Sequence, residues 1–180
     1  MPLTPELARR FVRPIFFETG TDGGGGVAVA LAAGAVRVVS VEINPGLAQK
    51  ARARFVGEPR VTVLQGNSAE LLGSAMSAVN ELATVWLDAH QTLSDVVPRG
   101  QSPILQELGA LAVLPCRSHV ILIDDIRCFR EGFPWRHFDP KTERLIELGE
   151  IEAAVRTINP AYRISYEDAH ERKDVLVACL

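Results

Sequence analysis

Four consecutive glycines, at positions 23–26, lie just behind a short apolar segment that ends in an acid, Glu18. Glycine lets the backbone turn tightly and leaves no side chain between the chain and a ligand. Small and apolar residues at 27–33 predict a helix whose free N–H groups point toward the same turn. A second acid, Glu42, closes the next apolar segment. Together these features predict an α/β fold with a nucleoside-binding site.

Short apolar runs alternate with helix-like segments along most of the chain. This alternation is typical of a parallel sheet that is covered on both faces. The predicted strands are 14–19, 36–42, 61–65, 83–88 and 119–124. The predicted helices are 24–33, 45–56, 69–80, 102–113 and 141–158.

Two final apolar runs, 162–167 and 174–180, are joined by a polar turn that is too short for a crossover helix. They must therefore pair antiparallel. The predicted fold is a doubly wound, Rossmann-like α/β sheet of seven strands, parallel except for this C-terminal hairpin. With 180 residues, the chain is predicted to form one domain over 1–180, beginning with a short helix at 1–13.

Composition narrows the possible partners and the compartment. The net charge of −3 provides no positive field for nucleic acid or an anionic membrane, so neither partner is expected. Three scattered cysteines argue against a disulfide framework and against a zinc site. The first 13 residues carry charges where a signal peptide needs an apolar run. These observations predict a cytoplasmic protein.

Polar motifs follow the predicted strands in a recognisable order. They are Glu18-Thr19-Gly20, then Glu42, then Gly66-Asn67-Ser68, and then Asp88-Ala89-His90. With these motifs and its reversed final hairpin, the chain resembles the class I S-adenosylmethionine-dependent methyltransferases over nearly its full length. It departs from them at Asp22, where that family often has a second glycine, and at Asn67, where it often has aspartate.

The resemblance implies a set of residues that bind the methyl donor. The first acid and the glycine loop would meet the methionine part, the acid after the second strand would meet the ribose, and the turn after the third would meet the adenine. A carboxylate suits a ribose diol and a cationic sulfonium, and N–H groups of a glycine turn suit the donor's carboxylate. The residues expected to bind S-adenosylmethionine are Glu18, Gly20, Thr21, Gly24, Glu42, Ile43, Asn67, Ser68 and Asp88.

Three aspartates, Asp88, Asp124 and Asp125, end two strands that should be neighbours. Carboxylates this close repel one another unless a cation joins them, and Mg²⁺ prefers oxygen ligands. The pattern resembles the metal site of catechol-type and macrolide-sugar O-methyltransferases, where the metal lowers the pKa of the attacking hydroxyl. The open alternative is structural, with one aspartate capping a loop and another bonding Arg127.

Catalysis is assigned to His90 and Asp88, at the end of the fourth strand. His90 could take the proton from a substrate hydroxyl, or it could simply bond a backbone carbonyl in its loop. The loop 126–138 is rich in aromatic residues and arginine, and it could wall a pocket, plug the sheet edge or meet a second subunit in a homodimer. The segment 91–101 is predicted to gate the same edge.

The predicted function is S-adenosylmethionine-dependent O-methylation of a small-molecule acceptor, with Mg²⁺ assisting. Two alternatives remain open from the sequence. One is a nicotinamide-dependent Rossmann oxidoreductase, which has similar spacing between its glycine turn and its acid. It stays open because a glycine pattern alone is weakly specific. A donor-binding module that needs a partner subunit is the other alternative.

Overall fold

The computed structural model describes residues 3–90 and 98–180. Strands and helices alternate from the N-terminus, and a short 3-10 helix, Ile126–Phe129, follows the fifth strand. The strands are β1 Ile15–Thr19, β2 Arg37–Glu42, β3 Val61–Gln65, β4 Ala83–Leu87, β5 Val120–Ile123, β6 Arg163–Glu167 and β7 Val175–Cys179. The α-helices are α1 Pro5–Phe11, α2 Gly25–Ala32, α3 Pro45–Arg54, α4 Ser68–Met76, α5 Ile104–Ala112 and α6 Leu148–Ile158.

All seven strands form one sheet in the order β3-β2-β1-β4-β5-β7-β6. The first five strands run parallel, and β7 pairs antiparallel with both β5 and β6. The predicted mixed α/β sheet with its reversed hairpin is therefore confirmed. The strand order reverses direction between β1 and β4, and ligands of open α/β sheets bind in the crevice at such a point.

Apolar side chains cover both faces of the sheet. Phe17 lies in a core cluster with residues of α4, α5 and α6, whereas its neighbour Phe16 packs with residues of α1 and α2 and with Trp86. Successive strand residues point to opposite faces, which is why two adjacent phenylalanines belong to different clusters. The central strands β1 and β4 are buried along their whole length, so the sheet is held rigidly beneath its carboxyl edge.

The predicted helix at 141–158 is wrong in its first half, because α6 begins only at Leu148. Asp139 explains the difference. Its carboxylate accepts hydrogen bonds from the backbone N–H of Lys141 and the hydroxyl of Thr142, which stabilises a turn. Glu143 has a φ of +57° within this turn, a conformation that a helix does not allow.

Helix α6 instead starts at a capping box in which Glu147 and Glu150 bond each other's backbone N–H groups. In the described part of the chain, no helix combines the length and the apolar character that crossing a bilayer requires. The predicted gate at 91–101 lies outside the described residues over 91–97.

Candidate active site

A cavity of about 460 Å³ opens at the carboxyl edge of β1, β2, β3 and β4. Eight of the nine residues predicted to bind the donor line it. The exception is Gly24, where an added Cβ would lie 2.6 Å from the ring of Phe55, outside the cavity. Gly25 and Gly26, at the start of α2, line the cavity instead.

The glycine turn is held close to the end of β4. Gly20 has a φ of +83°, and an added Cβ would lie 2.5 Å from the carbonyl oxygen of Asp88. Asp22 has a φ of +47°, so it adopts the left-handed conformation that a glycine there would adopt without strain. Helix α2 then begins at Gly25 and points its N-terminus toward the cavity edge.

Glu18 is fully buried beneath this turn. Its Oε2 accepts a hydrogen bond of 2.6 Å from the hydroxyl of Ser40, which in turn lies 2.6 Å from the hydroxyl of Thr21. Its Oε1 would lie 1.8 Å from a Cβ added at Gly26. Burial raises the pKa of Glu18 to about 8, although the bond from Ser40 opposes the rise.

Glu42 connects the glycine turn to the end of β2. One carboxylate oxygen accepts from the backbone N–H of Asp22 at 2.9 Å, and the other accepts from that of Asn44 at 2.8 Å. Each oxygen keeps a further lone pair, and the side chain lines the cavity. Asn44 caps α3 through Gly46 and Leu47, so this carboxylate is fixed between two ordered backbone turns.

The turn after β3 presents Asn67 and Ser68 to the cavity. Asn67 caps α4 by accepting from the N–H of Ala69. Behind this turn lies an acid that the sequence reading did not select, Glu107 of α5. Burial raises the pKa of Glu107 to about 7, and the hydroxyls of Ser68 and Thr19 oppose that rise. An acid within the apolar stripe of α5 was the signal that could have identified it.

The far end of the cavity holds a chain of charged side chains. His90 lies between two acids, with Nδ1 3.3 Å from Asp88 and Nε2 2.5 Å from Asp125. Arg127 then pairs with Asp125 at 2.7 Å and also with Asp174. His90 is thus placed by carboxylates rather than by a backbone carbonyl.

The pKa values of the three aspartates nearest His90 are shifted in different directions. Burial and the charge of Asp124 raise the pKa of Asp88 well above its usual value, and burial and Asp125 raise that of Asp124. Burial opposes ionisation of Asp125 as well, but the hydrogen bond and charge of His90, together with Arg127, lower its pKa. The ring of His90 therefore faces an ionised carboxylate through Nε2.

The three aspartates predicted to bind metal lie near one another but do not form one compact set of ligands. Asp88 and Asp124 follow paired residues of β4 and β5, as expected for neighbouring strands. Within residues 3–90 and 98–180, two sets of three have ligand atoms within 4.8 Å of one another. These sets are Asp88, His90 and Asp125, and Asp124, Asp125 and Asp174.

Part of the loop at 126–138 packs against the charged side chains around His90. The ring of His137 lies 4.9 Å from that of His90 and meets Phe129 edge-on at 5.3 Å. Burial and the charge of His90 lower the pKa of His137 to about 3, so His137 is neutral. No sequence pattern indicates this contact, because 47 positions separate the two residues.

No family model matches the sequence, and no curated protein matches it. Solved structures do resemble it. An O-methyltransferase from Bacillus cereus in complex with S-adenosylhomocysteine aligns with 98% of this chain and 78% of its own, with 18% identity and a TM-score of 0.66. The O-methyltransferase TomG from Streptomyces achromogenes, in complex with S-adenosylmethionine, is involved in tomaymycin synthesis. It aligns with 98% of this chain and 77% of its own, with 16% identity and a TM-score of 0.57.

A spermidine synthase from Thermotoga maritima aligns with 97% of this chain and 56% of its own, with 14% identity and a TM-score of 0.56. Identities this low show a shared fold, and one fold can support different transfer reactions. The chain has the class I methyltransferase fold.

Proposed function

We propose that this protein is an S-adenosylmethionine-dependent methyltransferase that methylates the hydroxyl of a small molecule. The observation that carries the proposal is Glu42, whose carboxylate is fixed by two backbone N–H groups and lines the same cavity as the glycine turn and Asn67. One acid, one glycine turn and one amide turn match the ribose, the methionine carboxylate and the adenine.

When bound, S-adenosylmethionine supplies a methyl group on a cationic sulfonium. The chain's contribution is alignment and control of one proton. Glu42 and the turn at Asn67 would hold the nucleoside, and Asp88 and His90 line the same cavity, where they are available to the reacting groups. The carboxyl oxygens of Glu18 and Asp88 line the same cavity, and their partial negative charge would favour a positive sulfonium.

His90 is the proposed proton acceptor. The carboxylate of Asp125 lies 2.5 Å from Nε2 of His90 and fixes the ring on that side. The other ring nitrogen, Nδ1, faces the carboxyl of Asp88 at 3.3 Å. Asp88 and His90 together can hold the proton that leaves the acceptor hydroxyl. The resulting positive charge lies beside the carboxylate of Asp125, which stabilises it.

A divalent cation fits part of this site. Burial raises the pKa values of Asp88 and Asp124, and the charge of a neighbouring aspartate raises each further, so a cation beside these carboxylates would relieve the repulsion. Asp125 fits less directly, because His90 and Arg127 engage its two oxygens. Asp88 with His90 and Asp125, or Asp124 with Asp125 and Asp174, would hold Mg²⁺, which would supply positive charge near the reacting oxygen.

Calorimetric titration with S-adenosylhomocysteine tests the proposal, with Mg²⁺ and again with EDTA, and with NADH as the control ligand. We expect S-adenosylhomocysteine to bind and NADH not to bind.

Glu42→Ala should weaken binding of S-adenosylhomocysteine about 100-fold, because two charge-assisted contacts and the ribose contact are lost. Glu81→Ala, at an exposed position, is the matched control. Binding of NADH alone would make the chain a relative of the dehydrogenases.

Asp124→Asn tests the metal separately. We expect the variant to bind S-adenosylhomocysteine within threefold of the unmodified protein and to lose its Mg²⁺ isotherm. An unchanged isotherm would remove Asp124 from the metal site.

Methyl transfer by the isolated protein to any small hydroxylated compound would contradict the idea of a donor-binding module that needs a partner.

The free cysteines among the described residues fit a reducing compartment, so we also propose a cytoplasmic location.

A further inference from the structure

A second cavity, of about 410 Å³, opens beside the loop 126–138, and its described lining residues all differ from those of the first cavity. His90 lines the first cavity, whereas Asp125 and His137 line the second. Nε2 of His90 lies 2.5 Å from Asp125, and its ring lies 4.9 Å from that of His137. These side chains form a wall, so a molecule in the second cavity would be kept apart from the methyl donor.

The lining of the second cavity is positively charged, although the whole chain carries a net charge of −3. Three arginines line the cavity, Arg99, Arg127 and Arg136, against one carboxylate, that of Asp125. The fifth titratable side chain, His137, is neutral, because burial lowers its pKa to about 3. An excess of positive charge in a concave site attracts anions.

Arg127 keeps one edge of its guanidinium open. Asp125 and Asp174 both contact the same terminal nitrogen, Nη1, and the side chain is 30% exposed. Among the described residues, neither Nε nor Nη2 of Arg127 has a hydrogen-bond partner. The N–H groups of Nε and Nη2 point in the same direction, and a carboxylate or a phosphate can bind such an edge through two parallel bonds. The two acids therefore hold Arg127 in place without using that edge.

Arg99 offers a second guanidinium. It is exposed, and within residues 3–90 and 98–180 it has no ion-pair partner. Its place in the chain is fixed by its neighbours, because the carbonyl of Gly100 accepts from the N–H of Phe138 at 2.9 Å and the N–H of Ser102 donates to the carbonyl of Phe138 at 3.1 Å. Arg136 differs, because it already pairs with a glutamate that does not line the cavity.

The remaining wall is aromatic. Trp135 leaves 64% of its surface exposed, which is unusual for so large an apolar side chain. Phe133 meets Trp135 edge-on with ring centroids 5.9 Å apart, and the guanidinium of Arg127 lies 5.9 Å from the ring of Phe133. A flat apolar surface thus lies beside the open guanidinium edge, which suits a ligand with a planar part and an anionic part.

We propose that the second cavity is a binding site for a small organic anion that is not the methyl acceptor. The anionic group binds the open edge of Arg127 and pairs with Arg99, and the planar part packs on Trp135 and Phe133. A carboxylate and a phosphate monoester share the chemistry that these guanidinium groups recognise. The inference goes beyond the proposed function and does not depend on it.

Fluorescence provides the readout. Of the two tryptophans, Trp86 is buried and Trp135 is exposed in the second cavity, so a ligand packed on Trp135 should quench it. The probes are benzoate, phenyl phosphate and benzamide, the last as the neutral counterpart of benzoate, and none carries a ring hydroxyl that could be methylated. Each is titrated with and without saturating S-adenosylhomocysteine, and Trp135→Phe identifies the signal.

We expect benzoate to bind at least tenfold more tightly than benzamide, since a charge-assisted pair is worth about one decade of affinity. Saturating S-adenosylhomocysteine should change the affinity for benzoate less than threefold, because the two cavities are lined by different residues. Tighter binding of phenyl phosphate than of benzoate would identify phosphate as the preferred anion, and the reverse order would identify carboxylate. Either order supports the site.

Two variants test the arginines. Arg99→Gln should reduce the preference for benzoate over benzamide to less than threefold. Arg127→Lys keeps a cation for Asp125 and Asp174 but has no planar edge, so it should reduce the preference as well while the protein stays folded. Arg163→Gln, at an exposed position of the edge strand β6, is the control and should leave the preference unchanged.

Equal binding of benzoate and benzamide would overturn the proposal, and so would a preference that neither Arg99→Gln nor Arg127→Lys reduces. Displacement of benzoate by S-adenosylhomocysteine would also overturn it, because the anion would then lie in the first cavity. Failure of the proposed function is a different result, in which S-adenosylhomocysteine does not bind at all while benzoate still quenches Trp135.

Discussion

The carboxyl edge of the sheet, where the proposed active site lies, has two halves that are built in different ways. The donor half comprises Glu18, the turn at 20–26, Glu42 and Asn67, and its side chains are fixed mainly by backbone N–H groups and buried hydroxyls. The acceptor half comprises Asp88, His90, Asp124, Asp125 and the loop 126–138. There, ion pairs hold the arrangement together, and two of them, His90 with Asp125 and Arg127 with Asp174, join residues that are far apart in the sequence.

The difference has a physical consequence. Backbone N–H groups cannot move away from their acceptors without unfolding a turn, so the donor half should keep its shape when a distant side chain changes. Ion pairs of the acceptor half depend on a chain of partners that reaches from Asp88 to Asp174, so losing one member changes the charge balance of the others. Three substitutions test this contrast.

The largest expected effect is on the pH dependence of stability in Glu18→Gln. Glu18 has a folded pKa of about 8 against an ordinary value of 4.5. The unfolded chain therefore releases this proton at lower pH than the folded chain does. Its stability contribution is complete below pH 4.5 and is lost as the pH rises to about 8. Glutamine can still accept the bond from Ser40 but does not ionise.

We expect the free energy of unfolding of Glu18→Gln, relative to the unmodified protein, to rise by about 4 kcal/mol between acidic pH and pH 8. Urea unfolding at several pH values measures it. Glu81→Gln, at an exposed position, should give a profile parallel to that of the unmodified protein. A parallel profile for Glu18→Gln would mean that Glu18 is ionised in the folded protein at neutral pH.

Arg127→Ala should damage the acceptor half and spare the donor half. It removes the cation that Asp125 and Asp174 share, and both aspartates are buried. Leaving buried carboxylates without their partner should lower the free energy of unfolding by about 3 kcal/mol. Affinity for S-adenosylhomocysteine should stay within threefold, because the contacts of Arg127 in the described part of the chain are with Asp125, Asp174 and Phe133 and not with the donor half.

The control for Arg127→Ala is Arg130→Ala. It removes a nearby guanidinium that, among the described residues, bonds the carbonyl of Lys173 and lies over the ring of Tyr166. Arg130→Ala should lower the free energy of unfolding by less than about 1 kcal/mol. Two results would contradict the contrast between the halves. One is equal stability of the two arginine variants, and the other is a tenfold loss of S-adenosylhomocysteine affinity in Arg127→Ala.

The same contrast explains what could be predicted from the sequence. The glycine turn, Glu42 and Asn67 sit at strand ends, so knowing that the strands are parallel was enough to bring them to one edge. The contact of His137 with His90 depends on side chains that meet only after the chain has folded, and it leaves no periodic pattern or local motif. The turn at Asp139 is local, and Asp139-Pro140 was the signal that could have indicated it.

The smallest expected effect compares two members of the glycine run. A Cβ added at Gly26 would lie 1.8 Å from Oε1 of Glu18, whereas one added at Gly23 would meet nothing within 4 Å. Glu18 is buried and bonded to Ser40, so it cannot move aside freely. Gly26→Ala should therefore destabilise the protein by about 2 kcal/mol, although alanine favours a helix.

Gly26→Ala should also weaken S-adenosylhomocysteine binding about tenfold, because a displaced Glu18 disturbs the glycine turn above it. Gly23→Ala should change stability by less than about 0.5 kcal/mol and leave binding unchanged, since it restricts only a position with open space. Thermal unfolding and calorimetry measure both variants. If they behave alike, the glycine run serves only to make the turn flexible, and the close packing of Gly26 on Glu18 does not shape the donor half.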